Sequence, residues 1–193
     1  MSNNDKKEGL IFIVSAPAGT GKTTLVKKLT QEFPQVKSSI SYTTRKPRQG
    51  EIDGVDYNFI GTAEFEEKIK MGELLEYVQL YGFYYGTSRT WVDEQIKQGH
   101  HVVLVIDTQG GLILKDKIQA VFIFIAPPSL EELKKRLLIR KTEPASVIEQ
   151  RLTCVFREIK QGEQYNYKIV NDQIDAAYDV LRSILVAEEH RIR

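Results

Sequence analysis

The chain has 193 residues and a mass of 22.1 kDa, the size of one ordinary domain, and with 41% apolar and 27% charged residues it needs neither a disulfide nor a structural metal to close a core. Lys and Arg number 27 against 26 Asp and Glu, a formal charge of +1, which excludes a global electrostatic case for nucleic acid or an anionic membrane and leaves only local charge to act. The single cysteine, Cys154, excludes an intramolecular disulfide and points to a reducing, cytoplasmic setting.

In chain order, Met1 to Gly9 is polar and mixed in charge, so no signal or transit peptide is expected. Leu10–Val14 is the first of three short apolar runs, with Val102–Ile106 and Ala120–Ala126; all are far too short to span a membrane. Their nearly continuous apolar character predicts strands of a parallel sheet covered on both faces by helices. Lys22–Phe33 predicts a helix, with Leu25, Val26, Leu29 and Phe33 on one stripe and Pro34 as the stop. Residues 41–87 are dense in Tyr, Arg, Gly and acids and lack a long apolar strand, which predicts a small appended subdomain presenting polar groups. Trp91 and Ile96 follow Ser88 at helical spacing up to Gly99, placing Trp91 in the core. Ser129–Arg140 opens on a Ser129…Glu132 capping box and gathers Leu130, Leu133 and Leu137; a second box, Ser146…Glu149, opens a helix with the stripe Leu152, Val155, Phe156 and Ile159. Val170 closes a fourth strand, and Gln173–Glu188 is a terminal amphipathic helix through Ile174, Ala177, Leu181, Ile184 and Leu185. Strand and helix alternate, so the class is α/β.

Between the first strand and the first helix stands Ala16-Pro17-Ala18-Gly19-Thr20-Gly21-Lys22-Thr23, continued by Thr24. Glycines in such a loop let backbone N–H groups turn toward phosphate oxygens, and the helix N-terminus adds a favourable dipole. Lys22 is placed to reach β- and γ-phosphates and the Thr23 hydroxyl to ligate Mg²⁺. Ala16 stands where the pattern has its first glycine. The loop alone does not fix a reaction. GTPase switches read guanine through Asn-Lys-x-Asp, and no Asn here is followed by Lys. Asp107, after the strand Val102–Ile106, stands where P-loop proteins place the acid that organises Mg²⁺ or a water on it; the competing reading is a helix or turn cap.

Ser41-Tyr42-Thr43-Thr44-Arg45-Lys46-Pro47-Arg48 is followed by Asp56-Tyr57-Asn58-Phe59, Leu75-Glu76-Tyr77 and Tyr84-Tyr85-Gly86-Thr87. Singly, each segment has a bland explanation as solvated arginine or core tyrosine. Taken with the phosphate loop upstream and Ile125-Ala126-Pro127-Pro128-Ser129 and Ile169-Val170-Asn171-Asp172 downstream, the ordered set resembles the guanylate kinase family from about Leu10 to the terminal helix. The most specific run is Thr43-Thr44-Arg45-x-Pro47-Arg48-x-Gly50-Glu51. The resemblance implies one domain: a P-loop NTPase-type parallel sheet with helices on both faces (core about 9–40, 88–133 and 161–193), a GMP-binding subdomain over about 41–87 and a helical lid over about 134–160. It also implies Mg²⁺-dependent transfer of the ATP γ-phosphoryl group to GMP, giving ADP and GDP, with no nucleic-acid or membrane partner. By the same resemblance Arg45, Arg48, Tyr57 and Tyr85 hold the GMP phosphate, Ser41, Glu76 and Thr87 read the base with Asp107 near it, and Asn171 lies toward the adenine or ribose. Arg136, Arg140 and Arg151 become lid arginines acting with Lys22; residues 134–160 carry eight cations against three anions.

The chemistry agrees on its own terms. A phosphate acceptor with a second pKa of about 6 is already largely ionised at neutral pH, so the site must supply cations and geometry more than a base. Guanine offers N1–H and 2-amino donors that an acceptor-only carboxylate such as Glu76 suits, and hydroxyls such as those of Ser41 and Thr87 can donate to O6. Val105 and Lys141 depart from the family pattern, where a second acid and a glycine are expected. Two alternatives stay open: a related P-loop kinase with another phosphorylated acceptor, and a catalytically silent binding module of the same fold.

Overall fold

The computed structural model describes residues 8–139 and 145–192, and no side chain between 136 and 153. Strand β1 (Ile11–Ser15) leads into helix α1 (Lys22–Glu32), then β2 (Val36–Ser38), β3 (Tyr42–Thr43), β4 (Asn58–Phe59), α2 (Thr62–Lys70), β5 (Leu74–Leu80) and β6 (Phe83–Ser88). The chain continues through α3 (Arg89–Lys97), β7 (His101–Val105), α4 (Thr108–Lys115), β8 (Val121–Ala126), α5 (Leu130–Ile139), α6 (Ala145–Gly162), β9 (Tyr167–Val170) and α7 (Ile174–Glu189).

Five strands form an all-parallel sheet in the order β2-β7-β1-β8-β9, the α/β arrangement that the apolar runs predict. Each central strand is buried on both faces. On one side Leu25, Val26 and Leu29 of α1 and Ala177, Leu181 and Leu185 of α7 pack against Phe12, Val14 and Val103. On the other, Val92 of α3 and Leu114 of α4 pack against Ile13, Val102 and Leu104, with Trp91 and Ile96 partly buried beside them. Leu133 of α5 and Val155 of α6 make a smaller third cluster with Ile159. Phe156, expected on the same stripe, is 66% exposed, while Val155 beside it is buried.

A second sheet, in the order β4-β3-β6-β5, rises from the chain after β2. Phe65 of α2 is fully buried and stacks on Tyr84, ring centres 5.1 Å apart. Strands β5 and β6 form a hairpin closed by Tyr81 and Gly82 at φ 52° and 83°, the left-handed pair a two-residue hairpin turn requires. An irregularity in pairing between Leu74 and Glu76 re-aims β5, and Glu76 lies opposite Thr87 across the ladder. Among the described residues no helix is long and apolar enough to cross a membrane.

Candidate active site

In a parallel sheet every strand delivers its C-terminal end to one edge, which is where ligands of open α/β folds bind. Here β1 ends at the phosphate loop and the adjacent β7 ends at Asp107, with the Ser15 hydroxyl donating to the Asp107 carbonyl at 3.2 Å. A cleft of about 560 Å³ opens between this edge and the second sheet. Its walls include Ala16, Ala18 and Lys22 from the loop, Asp107 beneath, and Ser41, Arg45, Arg48, Tyr57, Glu76 and Tyr85 opposite. Residues scattered over some ninety positions of sequence therefore face one cavity, and Thr87, fully buried, stands behind Glu76.

The loop is built to hold α1's first turn toward this cleft. Gly19 and Gly21 both have positive φ, 86° and 88°, and a Cβ on Gly21 would come within 2.5 Å of the Asn171 side chain. Thr20, 1% exposed, donates its hydroxyl to the Pro17 carbonyl at 2.8 Å, so it braces the loop from within. Asn171, 3% exposed at the end of β9, donates its amide to the Thr20 carbonyl at 2.6 Å; it ties the loop to the sheet. Thr23 and Thr24 lie exposed in the first turn of α1. Lys22 donates to the Ile106 carbonyl at 3.2 Å. Burial pulls its pKa down, while the carboxylates of Asp107 and Glu158 raise it.

Asp107 is the N-cap of α4, accepting from the Gly110 N–H at 2.8 Å, and it also lines the cleft. Of the two readings open in the sequence, the cap is present, and the same residue lines the cleft. Burial raises its pKa and the Gly110 bond and Lys22 oppose the rise. Glu76 is only 4% exposed. Desolvation pushes it up to about 7, with the Thr87 bond pulling down and Asp107 pushing further up. The Thr87 hydroxyl donates to Glu76 Oε1 at 2.7 Å, which commits its single proton to the carboxylate in this arrangement. A Cβ at Gly110 would lie 2.7 Å from Glu76 Oε2 and 3.2 Å from Asp107 Oδ1, so both acids converge on a glycine.

On the far wall, Arg45 is 8% exposed and pairs with Glu51 through two bonds of 2.6 and 2.7 Å. Its guanidinium lies 5.0 Å from the Tyr57 ring centre and 5.6 Å from that of Phe59. Tyr57 meets Tyr85 edge-on at 6.0 Å. Burial raises the Tyr57 pKa, so its hydroxyl stays a proton donor. Arg48, on the exposed turn after Arg45, keeps a side chain at the cleft. The side chains of Arg136, Arg140 and Arg151 lie outside the described residues.

Sequence reasoning assigned no role to Glu51, Gly110, Glu158 or Tyr165. Glu51 sat inside the most specific motif, and Gly110-Gly111 stand three and four residues after Asp107, so both left a signal. Tyr165 left none: its hydroxyl bonds Ser15 at 2.8 Å across 150 positions of sequence and fills the space above Gly111.

A family description, guanylate kinase, matches residues 8–188. The chain belongs to the guanylate kinase family. It is 60% identical to the guanylate kinase of Protochlamydia amoebophila over all of this chain and 97% of that one. It is 44% identical to the guanylate kinase of Desulfitobacterium hafniense over 98% and 95% of the two chains. The crystal structure of guanylate kinase from Anaplasma phagocytophilum superposes with a TM-score of 0.81 at 33% identity, covering 96% of this chain and 88% of that one.

Proposed function

We propose that the protein transfers the γ-phosphoryl group of ATP to GMP, giving ADP and GDP, with the triphosphate on the loop at Ala16–Thr24 and GMP against the second sheet. The observation that carries this reading is a single cleft with Lys22 on one wall and Arg45, Tyr57, Tyr85 and Glu76 on the other. Two anions that repel each other are brought together by cations on both sides, and positioning is the larger part of the catalysis.

Lys22, which lines the cleft and donates to the Ile106 carbonyl, turns to donate to the β- and γ-phosphates. Arg45 and Arg48, with the hydroxyls of Tyr57 and Tyr85, hold the GMP phosphate. Glu76 accepts from guanine N1–H and the 2-amino group, Ser41 donates to O6, Thr87 keeps Glu76 oriented, and Asp107 closes the base side. Adenine has no N1–H and would leave the buried Glu76 with the Thr87 hydroxyl but no donor from the base, a discrimination of roughly 10⁴-fold in sites that hydrogen-bond their substrate. The acceptor phosphate is already ionised, so no side chain takes a proton. Asn171 serves the ATP side by fixing the loop backbone. The lid arginines Arg136, Arg140 and Arg151 neutralise charge as the phosphoryl group moves, and closure of residues 134–160 over the cleft excludes water.

Mg²⁺ enters with ATP. The donor set fits it: an exposed Thr23 hydroxyl at the start of α1 and the Asp107 carboxylate, one or two protein oxygens being what this ion takes beside phosphates and waters. When bound, it supplies charge neutralisation between the β- and γ-phosphates. A cytoplasmic setting follows from the single cysteine and the nucleotide substrates. Binding titrations with ATP alone and GMP alone test the division of the cleft. Each nucleotide should bind without the other, and Glu76→Gln should weaken GMP while leaving ATP unmoved; loss of both together would contradict it.

A further inference from the structure

An arginine that grips a phosphate must present a chosen edge of its guanidinium, and nothing in the residue itself selects that edge. Arg45 has five N–H donors. Glu51 takes the end-on pair, Nη1 to Oε2 at 2.6 Å and Nη2 to Oε1 at 2.7 Å. The Lys46 carbonyl accepts from Nη1 at 2.9 Å. Glu51 and Lys46 take neither Nε–H nor the outer Nη2–H, a side-on fork of the spacing that suits two oxygens of one phosphate, and the Tyr57 hydroxyl lies in hydrogen-bonding reach of the same guanidinium. The rings of Tyr57 and Phe59 pack against the guanidinium at 5.0 and 5.6 Å. Glu51 Oε2 also accepts from the Arg48 backbone N–H at 2.7 Å, and the Glu51 N–H donates to the Arg48 carbonyl at 3.1 Å. One carboxylate thus fixes the orientation of Arg45 and the backbone that carries Arg48.

We propose that Glu51 is a positioning residue for the acceptor phosphate: it touches no substrate, but clamps Arg45 end-on and the Arg48 turn so that the side-on fork of Arg45 faces the cleft. The inference rests on the reading above that Arg45 holds the GMP phosphate. Its chemistry predicts a specific signature, since a clamp that orients phosphate donors contributes to binding only when the ligand carries a phosphate. Guanosine presents the same base to Glu76 and Ser41 and lacks that group.

The test is binding of GMP, guanosine and ADP to the intact protein, for wild type, Glu51→Gln and Arg45→Ala, by isothermal titration. For Glu51→Gln we expect GMP to weaken by roughly tenfold or more, the scale of one charge-assisted contact, with guanosine and ADP unchanged. Equal weakening of GMP and guanosine would overturn the proposal in favour of a merely structural ion pair, and so would an unchanged GMP affinity. Arg45→Ala separates this from the underlying reading: if it too leaves GMP unaffected, Arg45 is not at the phosphate and the reading itself fails. If it weakens GMP while Glu51→Gln does not, only the clamp fails. ADP binding verifies folding of each variant, and should Glu51→Gln not fold, Glu51→Asp, which keeps the charge but shortens the reach, carries the same outcomes.

Discussion

Glu76 shows how one residue can be costly to the fold and necessary to the ligand. Its carboxyl is pushed from 4.5 to about 7 chiefly by burial, so the neutral form is the better folded one. Its contribution to stability is therefore full below about pH 4 and is lost as the pH rises through about 7. On the proposed reading guanine reverses the preference, because N1–H and the amino group require the ionised form. Guanosine, which has no titrating phosphate, isolates the effect: its affinity should fall about tenfold from pH 8 to pH 6, while Glu76→Gln gives weaker binding with a flat profile. Titration calorimetry across pH checks both, and a flat wild-type profile would mean Glu76 does not read the base. Lys22 belongs to the other wall. Lys22→Ala should lower kcat by about 10² to 10³, as expected for removing one preorganised cation, with GMP affinity intact. Equal loss of GMP binding in a titration would contradict the assignment.

At the level of elements, what the sequence made legible followed the clarity of its physical signal. Strands buried on both faces left unbroken apolar runs, α1, α5 and α7 left stripes, and α5 left a cap as well; Ser129 does accept from the Glu132 N–H at 3.1 Å. The short β2, Val36–Ser38, carries one buried apolar residue and could not be read. Helix α4 opens Thr-Gln-Gly-Gly, a poor helix former, and exists because Asp107 caps it and Leu114 anchors it in the core. The two-residue strands β3 and β4 have no period to detect, and they form through pairing with β6 and each other. The site was legible in its motif residues but not in their supports, which are long-range contacts. Two predictions belong here. Asn171→Ala unties the loop from β9 and should raise KM for ATP several-fold to tenfold, the scale of an unsatisfied buried carbonyl, with KM for GMP unmoved. Gly110→Ala forces a methyl between Glu76 and Asp107 and should raise KM for GMP by about tenfold, leaving KM for ATP alone. Steady-state kinetics with each substrate varied in turn decides both.

Across the whole molecule, the two sheets divide the labour. The parallel sheet delivers the phosphate loop, Asp107 and Asn171 to one edge, and the smaller sheet sets Glu76, Arg45 and the tyrosines opposite. On the proposed reading both nucleotides meet in the cleft between them, which makes acceptor identity the property that the architecture as a whole would determine. The most direct measurement is ADP release from Mg·ATP with GMP, AMP, CMP, UMP and dTMP offered separately. Turnover with GMP at least about 10³-fold above the other four is the predicted result, given what a hydrogen-bonding site can discriminate. Comparable turnover with AMP or a pyrimidine nucleotide, or none with GMP, would contradict it.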